Sequence, residues 1–199
     1  MCKGALVRAV AQHRAEQSTQ VMIRATAELI EAGGLRAVTV AAVARRAGTS
    51  NGSLYHRFGD REGLLVALQR DTLDRLEAEA LTVMELAREQ EPEAAMRGAV
   101  RGALRLFGLY RSALRAFFVE GQEIAAFEVR NAACLRRLAE SAETLLVERL
   151  GVSSTEAAAL YRVLFSVGAT RALFTEEQLG GERVGDDDLE TVLVRLLRR

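Results

Sequence analysis

The sequence predicts an all-α chain of about nine helices, with a small three-helix domain first and a larger helical domain after it. Three observations carry that expectation. Ala, Leu, Arg and Glu dominate, and β-branched and aromatic residues do not cluster, a composition that favours helix over strand. Apolar residues recur at helical spacing through most of the chain. Proline occurs once, at Pro92, so the breaks between helices fall to glycines and to Ser, Thr and Asp caps.

Taken in order, residues 1–17 lack a strong apolar period and hold Lys3, Arg8, His13 and Arg14; they read as a loose arm. A first helix is expected from Thr19 to Ala32, with Met22, Thr26, Leu29 and Ile30 on one side and Gly33 and Gly34 at its end. Leu35 to Val38 is a connector. Thr39 caps a second helix from Val40 to Ala47, Gly48 turns the chain, and Ser50 caps a third helix ending near Phe58. Gly59 breaks that helix, and Asp60 caps a long one from Arg61 to Arg88. Pro92 opens the next at its first turn, where a missing N–H costs nothing, and that helix reaches Tyr110. A short segment covers 111–120. A further helix runs from Ile124 to Leu150, and Ser153 to Thr155 caps another that reaches Thr175. Gly180, Gly181 and Gly185 mark a loop. Asp186, Asp187 and Asp188 open the last helix and Arg195, Arg198 and Arg199 close it, a charge order that suits the helix dipole.

The bulk properties exclude several classes. No run of 18 apolar residues occurs, so no membrane-spanning helix is expected. The N-terminus shows no apolar segment ahead of a small-residue cleavage site, and a cytoplasmic location is expected. Cys2 and Cys134 form no metal-ligand spacing, and Cys134 reads as a small buried hydrophobe. No cofactor or metal is implied. The only histidines are His13 and His56, and no Ser/His/Asp set or glycine-rich phosphate loop is present, so an enzyme is not expected. The net charge of zero hides an asymmetry: residues 1–61 carry +5 and residues 62–199 carry −5. A basic first third points to a polyanionic partner.

Residues 39–58 carry the sharper signal. Two short helices joined by a glycine-containing turn make a helix-turn-helix. Ala44 and Ala47 let the helices approach, while Leu54 and Phe58, four residues apart, anchor the second one inward. Its first residues, Asn51, Gly52 and Ser53, are small and polar, so that end can enter a major groove.

The stretches Ala-Glu-Leu-Ile-Glu-Ala-Gly-Gly-Leu-Arg-Ala-Val-Thr-Val (27–40) and Val-Ala-Arg-Arg-Ala-Gly-Thr-Ser-Asn-Gly-Ser-Leu-Tyr-His-Arg-Phe-Gly-Asp-Arg-Glu-Gly-Leu-Leu (43–65) resemble the TetR family of bacterial regulators. The resemblance covers residues 18–68, about a quarter of the chain by its residue count. It departs from the family at Arg61, where Lys is usual, and at Ala42, where an acidic residue often closes a capping box with Thr39. The resemblance implies that Asn51, Gly52 and Ser53 face base edges, and that Thr39, Tyr55, His56 and Arg61 hold phosphates. It divides the chain into an arm (1–17), a helix-turn-helix DNA-binding domain (18–61) and an effector-binding and dimerisation domain (62–199).

Within 62–199, the segment Ala157 to Phe174 is apolar nearly all round, and such a helix wants two partners. One is its own core and the other a second subunit. The resemblance implies that Leu160, Leu164 and Val167, with Leu189, Val192, Leu193 and Leu196 of the last helix, build a four-helix dimer bundle. A two-fold dimer would space its recognition helices by about 34–36 Å on a near-palindromic operator. Tyr110, Gln122, Asn131, Tyr161, Arg162, Ser166 and Thr170 are polar groups amid apolar sequence that could orient a small-molecule effector. The resulting expectation is a homodimeric repressor of double-stranded operator DNA, released by that effector. A transcriptional activator, and a helical adaptor that keeps the fold without specific DNA binding, stay open as alternatives.

Overall fold

The computed structural model describes residues 3–175, 177–182 and 184–197, and for 3–12 and 197 the backbone alone. Cys2, Arg198 and Arg199, and the side chains of Lys3 and Arg8, lie outside the described residues. Within them the chain is all-helical: α1 (Lys3–Ala37), α2 (Val40–Ala47), α3 (Asn51–Phe58), α4 (Arg61–Arg88), α5 (Pro92–Leu109), α6 (Arg111–Arg115), a π-helical turn (Ala116–Glu120), α7 (Ala125–Leu150), α8 (Ser154–Leu173) and α9 (Asp186–Leu197). The chain divides into two compact units, residues 1–71 and 72–199, and α4 contributes to both. No described helix is long and apolar enough to cross a membrane.

The first unit differs from expectation at its start. Residues 3–17, expected as a loose arm, continue α1 upstream. The segment has no proline, and its Ala, Leu, Arg, Gln and Glu residues carry little helix penalty. Side chains one turn apart also engage: Gln17 lies 2.9 Å from His13, and the Thr19 hydroxyl donates to the Ala15 carbonyl at 2.8 Å. The glycine pair bends α1 without ending it. Gly34 takes φ 66°, and residues 35–37 form a last helical turn beyond the kink. Met22, Ile23, Ile30 and Leu35 from this helix, and Val38 just after it, are buried, as are Val43, Leu54, Leu64 and Leu65.

The second unit is built on α5, which packs against α8 and α9, while α7 packs against α8. Pro92 occupies the first turn of α5. Ser153 and Glu156 close a capping box on α8, satisfying two backbone donors reciprocally. The Phe117 and Phe127 rings meet edge-on at 5.4 Å, and Phe107 and Phe165 at 5.6 Å.

Two buried carboxylates tie helices together. Glu77 on α4, 8% exposed, accepts from Arg130 at 2.5 Å and Arg137 at 2.6 Å, both on α7. Glu190 on α9, 3% exposed, accepts from Arg97 at 3.0 Å and Arg101 at 2.7 Å, both on α5. Burial works to raise the Glu77 pKa, but hydrogen bonds from Arg130, Cys134 and Arg137 and the charge of Arg130 outweigh it, holding the carboxyl below its usual 4.5. The Arg101 hydrogen bond, against burial and with help from Arg97, does the same for Glu190.

A carboxylate with a depressed folded pKa stabilises fully above its unfolded value and loses that contribution as pH falls through the folded value. Thermal melts followed by circular dichroism are therefore expected to hold a constant midpoint from neutral pH down to about 5.5 and to fall below about 4.5. The Glu77→Gln/Glu190→Gln variant should start lower at neutral pH and show a shallower acid limb. An unchanged acid limb would remove these carboxylates from the account.

Candidate nucleic-acid interface

The helix-turn-helix is assembled from short-range chemistry. The Thr39 hydroxyl oxygen accepts the Ala42 N–H at 3.1 Å and starts α2. Gly48 turns the chain at φ 64°, a left-handed conformation that glycine takes without strain. The Thr49 N–H donates to the Ala44 carbonyl at 2.9 Å. The Ser50 hydroxyl oxygen accepts the Ser53 N–H at 3.1 Å and starts α3. Leu54 is the buried residue of α3, at 2% exposure.

Phe58, the second expected anchor, is half-buried, and the other residues that the sequence singled out on α3 face solvent. Asn51, Gly52, Ser53, Tyr55, His56 and Arg57 are exposed, as is Thr39 at the start of α2. Tyr55 is 53% exposed, so its ring is no part of the core. Thr39 uses an oxygen lone pair for its cap and keeps its hydroxyl proton for a further acceptor. Ser53 lies 3.0 Å from the Ser50 hydroxyl. Asn51, Gly52 and Ser53 sit in the first turn of α3, where backbone N–H groups and the helix dipole favour negative charge.

Arg61 stands apart from this group. Its Nε donates to the Val38 carbonyl at 2.6 Å and its Nη2 to the Leu35 carbonyl at 2.7 Å. The guanidinium clasps the end of α1 and the residue just before the Thr39 cap. Lysine, with one ammonium, could not reach two carbonyls in the fixed fork that arginine offers. Arg46 pairs with Glu28 at 2.5 Å, which reduces its share of the positive field, whereas Arg45 and Arg57 are exposed.

The residues named for the second unit are dispersed. A cavity of about 150 Å³ lies mainly among α4, α5, α7 and α8, with Leu114 of α6, Phe118 of the π-helical turn and Leu193 of α9 also on its wall, and Tyr161 is the one residue of the seven polar candidates found there. The others hydrogen-bond elsewhere. The Tyr110 hydroxyl donates to Glu79 at 2.8 Å, Asn131 to the Phe117 carbonyl at 3.0 Å, and Gln122 to the Phe118 carbonyl at 3.3 Å. Arg162, Ser166 and Thr170 each donate to a carbonyl one turn back on α8. The wall itself, including Leu104, Phe107, Cys134 and Phe165, carries no sequence signal that separates it from ordinary core, because both need apolar residues at helical spacing. Of the seven residues named for a subunit surface, Val192 and Leu196 are 51% and 63% exposed. Leu160, Val167 and Leu189 are half-buried. Leu164 and Leu193 line the cavity.

Comparison with known proteins gives the same picture of the first unit. Residues 22–68 match the model of the family described as bacterial regulatory proteins, tetR family. The HTH-type transcriptional regulator BetI of Burkholderia ambifaria (strain MC40-6) is 40% identical over 79 residues, which cover 40% of this chain and 40% of that protein. BetI of Stenotrophomonas maltophilia (strain R551-3) is 38% identical over 81 residues, or 41% of each chain. The match thus spans about 40% of the length of these curated relatives. Among solved structures, a TetR-family protein of Mesorhizobium loti MAFF303099 aligns with TM-score 0.76 and 17% identity, covering 92% of this chain and 96% of that one. The TetR-family transcriptional regulator PfmR of Thermus thermophilus aligns with TM-score 0.64 and 19% identity over 88% and 96%. At such identities the structures establish the fold.

The Arg61 clasp is open to test. Arg61→Ala removes two charge-assisted hydrogen bonds and is expected to destabilise the first unit by about 1–3 kcal/mol, read from urea melts. Arg61→Lys should recover only part of that loss. A neutral Arg61→Ala would mean that the clasp does not hold the end of α1.

Proposed function

Since the N-terminal part of this chain belongs to the TetR family of bacterial regulatory proteins, we propose that the protein is a cytoplasmic transcriptional repressor that binds a palindromic operator as a homodimer and is released by a small molecule. The observation that carries the reading is the solvent-facing start of α3. Asn51, Gly52 and Ser53 lie exposed in its first turn, with Thr39, Tyr55 and His56 exposed close by in sequence. Asn51 supplies the paired donor and acceptor that adenine's major-groove edge requires. Thr39, Tyr55 and His56 offer phosphate donors that set register and affinity.

Two further features support the finer parts. Val163, Val192 and Leu196 leave apolar surface exposed on α8 and α9, and a second copy of the same face is the simplest cover for it. The cavity supports a small-molecule effector. A ligand that binds more tightly to a state unable to grip the operator must lower DNA affinity by the same linkage.

Selection from a random DNA pool across a salt series tests the DNA reading. A palindrome should be enriched, with affinity falling steeply as salt rises because phosphate contacts release counterions. Tyr55→Ala should weaken all sequences, whereas Asn51→Ala should lose about 1–3 kcal/mol of discrimination at one base pair in each half-site. Absence of an enriched sequence, with weak binding that survives Tyr55→Ala, would leave the adaptor reading in front. A reporter gene behind the selected site separates repression from activation.

The subunit surface has its own test. Val192→Glu/Leu196→Glu places charge on the exposed apolar face, and sedimentation is expected to shift from dimer to monomer. A wild-type monomer, or a variant that stays dimeric, would move the interface elsewhere.

A further inference from the structure

We propose that the cavity of the second unit takes a small, uncharged, largely apolar molecule of about six carbons, carrying at most one hydrogen-bonding group, and rejects its ionised counterparts. The proposal deepens the effector reading and rests on it.

The wall comes first. Side chains such as Leu76, Val83, Met96, Leu138 and Phe165 from α4, α5, α7 and α8, with Leu114 of α6, Phe118 of the π-helical turn and Leu193 of α9, surround the space, and among the described residues no charged side chain lines it. Cys134 and Tyr161 are the wall side chains that carry a polar hydrogen. An ion entering such a space would give up its hydration without a partner charge. The volume comes second. At about 150 Å³ the cavity matches an engineered apolar cavity of about the same size that stays dry and binds benzene. The scale is that of a single ring or a short alkyl chain.

One charged cluster beside the wall is paired within itself. The Glu77 carboxylate sits between Arg130 and Arg137. Burial, with the hydrogen bond and charge of Glu77, pushes the Cys134 thiol up to about 12, and burial above all pushes the Tyr161 phenol up to about 12. Both groups are neutral throughout the physiological range. The Cys134 thiol already donates to Glu77, so the wall offers a ligand one hydroxyl, that of Tyr161, and no charge.

A basic pocket does exist nearby, which sharpens the contrast. It carries Arg111, Arg171 and Asp186, and it shares Leu104, Phe107 and Gly168 with the inner cavity. Phe107 is the partition. Its ring lies directly on Gly168, where an added Cβ would meet the Phe107 Cδ2 at 2.1 Å, and it rests edge-on against Phe165. Beyond it, Arg171 is paired with Asp186, and Arg111 donates to the Phe174 carbonyl at 2.8 Å. An anionic head group there would share the guanidinium groups with these partners, and its tail would have to move Phe107 to reach the inner cavity. A neutral molecule in the inner cavity needs neither change.

The test uses the full chain without DNA, followed by thermal shift and calorimetry near neutral pH, with n-hexanol, hexanoate and hexylammonium as probes matched in length. n-Hexanol is expected to raise the melting midpoint in a dose-dependent way, with an apparent Kd at least about tenfold below that of either ion. Ala103→Leu, which fills the cavity, should abolish the n-hexanol response. Leu138→Ala, which enlarges it, should shift preference towards n-octanol. Hexanoate binding as tightly as n-hexanol, and losing that affinity in Arg111→Ala, would overturn the proposal in favour of an anion that uses the outer pocket. Absence of binding by every probe to both wild type and Leu138→Ala would overturn it as well. Because the readout contains no DNA, binding without operator release would count against the effector reading alone.

Discussion

The burial of Leu54 is the constraint on which the candidate interface depends. Helix α3 has eight residues, fewer than an isolated helix needs in water. It exists because Leu54, 2% exposed, is held in the core formed with α1 and α2. With that one side chain inside, the period of the helix turns His56 to the opposite face and Tyr55 to the flank. Asn51 shares the side of Leu54 and is exposed because it opens the helix, so packing sets the outward face while the Gly48 turn and the Ser50 cap set which residues form the exposed first turn. The Arg61 clasp on the Leu35 and Val38 carbonyls extends the same logic. It fixes the backbone just before Thr39, the residue whose cap begins α2.

The second unit solves a different problem. Long helices with many charges must pack around an apolar centre, and the ions have to be kept off it. The two buried carboxylates do this at the seams. Glu77 gathers Arg130 and Arg137 between α4 and α7, and Glu190 gathers Arg97 and Arg101 between α5 and α9. Breaking one partner of such a cluster leaves an uncompensated buried charge, so the clusters fix helix register as well as charge. What remains inside is a wall of Leu, Ala, Met and Phe around open space. Phe107, on that wall, lies directly over Gly168.

Much of the architecture was legible in the residues. The Thr39, Ser50, Asp60 and Ser153 caps, Pro92 at the start of α5, and Gly48 and Gly151 at helix ends are local signals, and each stands where the backbone uses it. Two boundaries were not legible. Gly33 and Gly34 read as a helix end, but three more residues continue past the kink because Leu35 is buried beyond it. Residues 3–17 read as an arm because they lack apolar period, yet helix propensity and contacts one turn apart carry the helix upstream through them.

The side chains facing the cavity were the least legible. Polarity within an apolar stretch marked Ser166 and Thr170, which donate back to their own helix. It marked Asn131 and Tyr110, which satisfy a carbonyl and a carboxylate. Arg61 carried a cation in the sequence, and only the folded chain reveals that it points at carbonyls. By itself, the sequence determined the helices, the helix-turn-helix and the identity of its exposed residues, because caps, turns and one-face burial are written within a few positions of one another. Only the tertiary structure decided which polar groups are already satisfied, where Arg61 points and where the core is left open. Those outcomes depend on residues tens of positions apart meeting in space, and no local pattern encodes that.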